Sequence, residues 1–236
     1  SSEKDPSYIP HNGGSAPPAP VLSKEEGLNR FVWDMKYPIM PGIPGVYIEA
    51  GFSGHKVSPG SYTFSLSVDG QKVSTTGVIK ELPTYETKPG QYEAFDTFMT
   101  TAETELTAMH NMVNQLYAAQ KGLTEVLTKV TDAEVKKEGE KLLADMKAWD
   151  SEMVQRKSQA YDDVENFPNK FTAEYIFMIN QTNSGIPRLN RSSKERKAEL
   201  DAQWIGLKAR GNQFINTAIP AYNKALWEAG IGAVRL

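Results

Sequence analysis

The feature that most constrains the fold is a single change in hydrophobic period, which falls near residue 88 of the 236-residue chain. Over roughly residues 21–85, apolar and polar side chains alternate with a period of two, the pattern of half-buried β-strands. Over roughly residues 91–230, apolar side chains recur every three or four positions, which indicates amphipathic helices. The two periods predict an α+β chain in which a β region precedes a helical region.

The strictest alternation in the β region is SYTFSLSV, residues 61–68. Its apolar side chains share one face of a predicted strand, and serine and threonine occupy the other face. Asp69-Gly70 follows, a pair suited to a two-residue turn with positive φ, so the sequence predicts a hairpin that returns over residues 71–79. Two further strands are predicted: GLNRFVWDM, residues 27–35, and a short one at 46–48 within a loop rich in proline and glycine.

The helical region predicts four amphipathic helices with short connections, which favours an elongated antiparallel four-helix bundle. The first helix, of about 35 residues, would be about 50 Å long. Its predicted core positions are Phe95, Met99, Ala102, Leu106, Met109, Val113, Leu116, Gln120, Leu123, Leu127 and Val130. The second helix begins near Thr131 and runs to about Ala160, and the third covers about 169–182. The fourth begins near Ser192, and Pro220 is expected to kink it.

Composition excludes several classes of function. The net charge is −3, so no general attraction to nucleic acid is expected, and no apolar run is long enough to span a membrane. The absence of cysteine excludes disulfides, thiolate metal sites and cysteine nucleophiles. The three histidines, His11, His55 and His110, have no spaced partner, so each is interpreted as a surface or loop residue.

No motif indicates chemistry. Trp33-Asp34 is the most conspicuous pair, and Asp34 could serve as an acid or base, but no second carboxylate or histidine is tied to it by spacing. A buried Trp33 with Asp34 bonded to nearby backbone is the favoured interpretation. The sequence therefore predicts no catalytic, cofactor-binding or metal-binding residue, no cofactor, and no enzymatic activity in this chain.

Several segments together resemble a known family. GLNRFVWDMKYP (27–38), VSPGSYT (57–63), a strand ending in VDGQK (68–72), and DVENFPNKF (163–171) are similar to the C-terminal region of secreted sortilin-like proteins. These are bacterial, VPS10-related β-propeller proteins with BNR repeats that resemble glycosyl hydrolases. The resemblance implies a FlgD-type Ig-like sandwich followed by a helical bundle, and it covers about 21–230.

The resemblance also implies that strands are missing. An Ig-like sandwich needs about seven strands in two sheets, and residues 21–85 offer three or four. The expected organisation is an extended linker rich in proline, glycine and serine (1–20), a partial Ig-like β-sandwich (21–88) and a helical bundle (89–236). The strands to complete the sandwich would come from an absent N-terminal part of the same protein or from another chain. The alternative is that the predicted strands pack on the bundle and need no partner.

The expected function is a non-catalytic structural and interaction module. It would form the C-terminal part of an exported sortilin-like protein and act in a periplasmic or cell-surface assembly of a bacterium. The alternative is an accessory domain, possibly glycan-binding, of a sialidase-like glycoside hydrolase whose catalytic propeller is absent from this chain. The expected partners are the missing propeller and Ig-like strands or another protein chain, with glycan as a further possibility and no nucleic acid.

Overall fold

The computed structural model describes residues 16–18, 20–84 and 86–235, so most of the predicted linker at 1–20 lies outside the described residues. The chain is a mixed α/β protein with one two-stranded antiparallel sheet and a largely helical remainder. The described elements are β1 (Gly60–Val68), β2 (Gln71–Ile79), α1 (Gln91–Leu127), α2 (Ala133–Met153), α3 (Asp163–Asn166), α4 (Phe171–Asn183), α5 (Arg191–Gln213), a π-helical turn (Phe214–Ala218) and α6 (Ile219–Glu228).

The hairpin prediction is confirmed. Strands β1 and β2 pair antiparallel from Gly60 opposite Ile79 to Val68 opposite Gln71. Asp69 and Gly70 form the turn with φ of 49° and 80°, the positive values that a tight hairpin turn requires. One face of the hairpin carries the apolar side chains of β1 together with Val73, and the other face is mostly serine and threonine, with Lys72 and Val78 from β2.

The two further predicted strands are wrong. Residues 27–35 form no strand among the described elements, because no neighbouring strand pairs with them; Lys36 alone forms an isolated bridge, to Lys56. Residues 46–48 are buried but irregular. An alternating sequence produces a ladder only when a second strand lies within hydrogen-bonding distance.

The prediction of a largely helical region after the hairpin is confirmed, although the region holds more than the four predicted helices. Helix α1 spans 37 residues, and its predicted core positions, including Gln120, are buried. Helix α2 ends at Met153 and not near Ala160, because Val154 adopts an extended conformation. Pro220 follows the π-helical turn, whose wider hydrogen-bonding pattern accommodates a residue that cannot donate to the preceding turn.

The loop at 36–57 supplies an unexpected part of the core. Met40, Ile43, Val46 and Phe52 are buried together with the core side chains of α1. In contrast, no residue of β1 or β2 belongs to this core among the described residues. The loop therefore attaches the β region to the helices, while the hairpin itself projects from them.

Helix α2 approaches α6 closely at Gly139. A Cβ atom there would overlap Tyr222 and Leu127, whereas a Cβ at Gly206 in α5 would meet no atom within 4 Å. Alanine adds about 1 kcal/mol of helix propensity at either position. We expect Gly139→Ala to be less stable than Gly206→Ala by about 1–3 kcal/mol, the usual cost of overpacking. Urea denaturation measures the difference, and equal stability of the two variants would contradict the close approach.

Candidate functional site

The hairpin carries an apolar face that remains exposed. We call the hairpin together with residues 20–35 the open layer. In it, the Trp33 ring lies 5.3 Å from that of Tyr62 and 5.5 Å from that of Phe64. Despite this contact, 44% of Phe64 remains exposed, and its neighbours on the same face, Leu66 and Val73, are 45% and 66% exposed. Scattered exposed apolar residues are ordinary, but a contiguous set on one sheet face marks an interaction surface.

A groove of about 1000 Å³ runs along this face. Pro20, Leu22, Phe31 and Trp33 line one side, and the apolar face of the two strands lines the other. No charged residue lines the groove among the described residues. Its surface therefore suits an uncharged, apolar occupant.

The open layer also contains unpaired backbone groups, at the outer edges of the hairpin and along residues 20–34. The described sheet has two strands, so β1 and β2 each have one edge without a neighbour in the described part of the chain. Over 20–34, no backbone-to-backbone hydrogen bond occurs between described residues. Free edges offer hydrogen-bond donors and acceptors to any further strand.

Below the hairpin, a buried histidine joins the loop to helix α1. The His55 Nδ1 atom lies 3.0 Å from Glu103 Oε2, and Nε2 lies 3.0 Å from Asp96 Oδ1. The His55 backbone N–H donates to Glu103 Oε1 at 2.7 Å, and the Tyr37 ring stacks on the imidazole at 4.2 Å. Both ring nitrogens face carboxylates, which only accept, so both must donate, and only the imidazolium can do so.

Electrostatics agree with a charged His55. Burial by itself lowers the pKa of His55, but the hydrogen bonds to Glu103 and Asp96 outweigh it and the pKa is raised overall. Burial and the hydrogen bond to Asp96 raise the pKa of Tyr37 to about 12. The His55 side chain is fully buried, and the two carboxylates offset its charge. We call His55, Asp96, Glu103 and Tyr37 the histidine cluster.

The histidine cluster borders a cleft of about 640 Å³. The cleft lies between the base of the hairpin, residues 87–90 and the first turn of α1, and Asp96 connects it to the buried His55. Asp96 is the exposed member of the cluster, with 32% of its side chain accessible. Neither nitrogen of His55 is available as a base or a metal ligand, because each is already bonded to a carboxylate.

The residues singled out from the sequence have structural roles. The Trp33 indole N–H donates to the Lys36 carbonyl at 3.1 Å, and Asp34 accepts from the Lys36 backbone N–H at 3.2 Å. The interpretation of the histidines as surface or loop residues is wrong for His110, which is buried within α1. His55 does lie in a loop, but its side chain is fully buried there. His11 lies outside the described residues. No group of three or more potential ligand side chains that could hold a metal occurs in 16–18, 20–84 and 86–235.

The histidine cluster was not found by sequence reasoning. Asp96 and Glu103 are 41 and 48 residues from His55, and no fixed spacing connects them. The only local signal is that Asp96 and Glu103 are seven residues apart, which places them on one face of α1. Glu103 interrupts an otherwise apolar buried face there, and a buried carboxylate requires a partner.

Comparison with protein-family models, curated proteins and solved structures gave no match for this chain. No helix within the described residues is long and apolar enough to cross a membrane. What can be inferred about function therefore comes from the open layer, the histidine cluster and the cleft.

Proposed function

We propose that the chain is a non-catalytic structural and interaction module whose open layer accepts β-strands from another segment of polypeptide. The observation that carries this proposal is the hairpin, which has an exposed apolar face and unpaired edges. A two-stranded hairpin is at best marginally stable in water without a covered hydrophobic face. A strand added at an edge would pair its free backbone groups, and strands of a second sheet would cover the apolar face.

The geometry supports strands as occupants rather than a helix or a charged ligand. Residues 27–34 lie over the hairpin in an alternating sequence, with Trp33 packed on β1, as a strand of a second sheet would. The groove between the two is uncharged, which suits the apolar face of a strand. The completed arrangement would be an Ig-like sandwich joined to an elongated antiparallel four-helix bundle.

We further propose that the strands precede this sequence in the same protein. Pro20 and Leu22 line the groove, so the chain enters the open layer beside the space to be filled. A preceding strand would be connected to Pro20 through residues 1–19. The resemblance to exported sortilin-like β-propeller proteins implies the same order of domains, and with it a role in a periplasmic or cell-surface assembly. Binding of the groove by an unrelated chain would argue against this order.

Hydrogen exchange tests the open layer directly. In the 236-residue chain as a monomer, we expect the amides of β1 to exchange much faster than those of the buried part of α1, because an uncovered hairpin opens easily. Extending the chain with its preceding sequence should slow exchange in β1. Full protection of residues 62–68 in the isolated monomer would contradict the proposal.

A pair of variants tests whether the apolar face of the hairpin becomes covered in the extended protein. Leu66→Ser should change the stability of the isolated chain by less than about 0.5 kcal/mol, because Leu66 is already half exposed. In the extended protein the same change should cost about 2–5 kcal/mol, as for a buried leucine truncation. Ser67→Ala, on the opposite face, is the control and should have little effect in either protein. An equal effect of Leu66→Ser in both proteins would show that the groove stays empty.

A further inference from the structure

The cleft beside the histidine cluster has a chemistry of its own, although it shares Tyr62 with the groove of the open layer. Tyr37, Tyr62 and Tyr92 line it together with the carboxylates of Glu81, Glu93 and Asp96 and one lysine, Lys88. Aromatic rings and carboxylates in one cavity are a combination that attracts organic cations. The cavity, at about 640 Å³, has room for a small ligand or for one long side chain.

The hydrogen-bonding groups of the cleft are mostly acceptors, because several of its donors are already used. The Tyr37 hydroxyl donates to Asp96 Oδ1 at 3.0 Å, and the Tyr62 hydroxyl donates to the Ser58 carbonyl at 2.5 Å. Asp96 Oδ2 accepts no bond from the described residues, and Glu93 has no partner there. The Ser58 Oγ atom is buried without a hydrogen-bond partner.

The hydrogen-bonding groups and charges of the cleft fit some classes of ligand better than others. A neutral sugar would gain nothing from the negative charge of the three carboxylates, and with the hydroxyls of Tyr37 and Tyr62 already donating, Lys88 and Ser58 would be its main donors. An anion would face three carboxylates, against which the half charge of the α1 N-terminus and Lys88 are insufficient. The described carboxylates do not converge as metal ligands. An ammonium group, which only donates and is positively charged, fits both the acceptors and the charge.

We propose that this cleft binds a primary ammonium group, with Asp96 and Glu93 as its anionic partners and the tyrosine rings around its aliphatic chain. Asp96 is the central partner because His55 and Tyr37 both bond its Oδ1 atom, which leaves Oδ2 without a bond from the described residues. Burial and, to a smaller extent, the charge of Asp96 raise the pKa of Tyr62, in keeping with the nearness of the two side chains. The ammonium group could belong to a free amine or to a lysine side chain.

The test is a titration of the 236-residue chain with n-butylammonium chloride, followed by the amide NMR signals of residues 88–96. We expect saturable shifts in this segment, none with n-butanol, and weaker binding as sodium chloride is raised, because salt screens exposed charges. Equal shifts with n-butanol, or shifts spread over the bundle, would overturn the proposal.

Three variants test which charged residues of the cleft affect binding of the ammonium group. Glu93→Gln removes one exposed partner and should weaken binding about threefold, the size of one partly screened ion pair. Lys88→Gln removes the competing cation and should tighten binding by a similar factor. Glu134→Gln, a change of the same kind in the first turn of α2, should leave the affinity unchanged. Identical affinities of the wild-type and Glu93→Gln proteins would overturn the assignment.

A second arm distinguishes the two sources of the ammonium group. Nα-acetyl-lysine methylamide presents the same group on a side chain flanked by peptide bonds. Binding at least as tight as that of n-butylammonium would assign the cleft to a lysine of a protein partner. Binding of the free amine alone would assign it to a small molecule, and binding of neither would overturn the proposal.

Discussion

Replacing His55 with alanine is expected to destabilise the protein by about 3–5 kcal/mol, because it leaves the buried Glu103 carboxylate without its cation. Glu103 keeps only 11% of its side chain accessible and accepts bonds from both the His55 ring and the His55 backbone N–H. The change also removes the ring that stacks on Tyr37 and that ties the loop at 36–57 to α1. Chemical denaturation monitored by far-UV circular dichroism gives the difference.

Two controls show whether the buried charge causes the loss. Lys141→Ala breaks an exposed pair with Asp145 and should cost less than about 0.5 kcal/mol. The double variant His55→Leu/Glu103→Leu removes both charges, and it should recover much of the stability lost in His55→Leu alone. A loss below about 1 kcal/mol in His55→Ala would mean that water reaches Glu103 and solvates it.

Stability should be greatest near pH 6.5 and fall on both sides, because the two buried histidines are shifted in opposite directions. The pKa of His110 is lowered to about 4, mainly by burial. Its Nδ1–H donates to the Pro41 carbonyl, while Nε2 has no hydrogen-bond partner among the described residues. Below about pH 6.5 the unfolded chain protonates His110 and the folded chain does not. Stability therefore falls by about 3 kcal/mol as the pH approaches 4.

Above about pH 6.5, stability falls as the pH rises, and His55 is the cause. The pKa of His55 is raised, so above about pH 6.5 the folded chain keeps a proton that the unfolded chain has lost. The contribution of His55 is complete below that pH and disappears as the pH rises through its folded-state pKa. Denaturation midpoints measured from pH 4 to 9 check both branches. His110→Gln should flatten the acid branch and leave the alkaline branch intact. If the variant flattened the alkaline branch instead, the assignment of the acid branch to His110 and the alkaline branch to His55 would be wrong.

The parts of the fold that the sequence predicts are those encoded by local spacing. The alternation at 61–68 with Asp69-Gly70 specifies the hairpin, and the steps of three and four in α1 specify its buried face. The loop at 36–57 escapes prediction because Met40, Ile43 and Phe52 reach the core without any period.

The candidate sites depend on contacts that no local pattern encodes. A lone His55 looks like any loop histidine until the chain brings Asp96 and Glu103 to it from another element. The tyrosines of the cleft likewise come from the loop, the hairpin and α1. Counting strands from the local period also failed in part, because residues 27–35 and 46–48 form no strand although their sequences predict one.

The two edges of the hairpin differ in how strongly their side chains discourage pairing with another chain. β2 carries Lys72 within it and Lys80 directly after it, and lysine discourages unwanted pairing at a sheet edge. β1 has no charged residue and no proline from Gly60 to Val68. Of the two edges, β1 is therefore the one along which two copies of the chain would pair more readily.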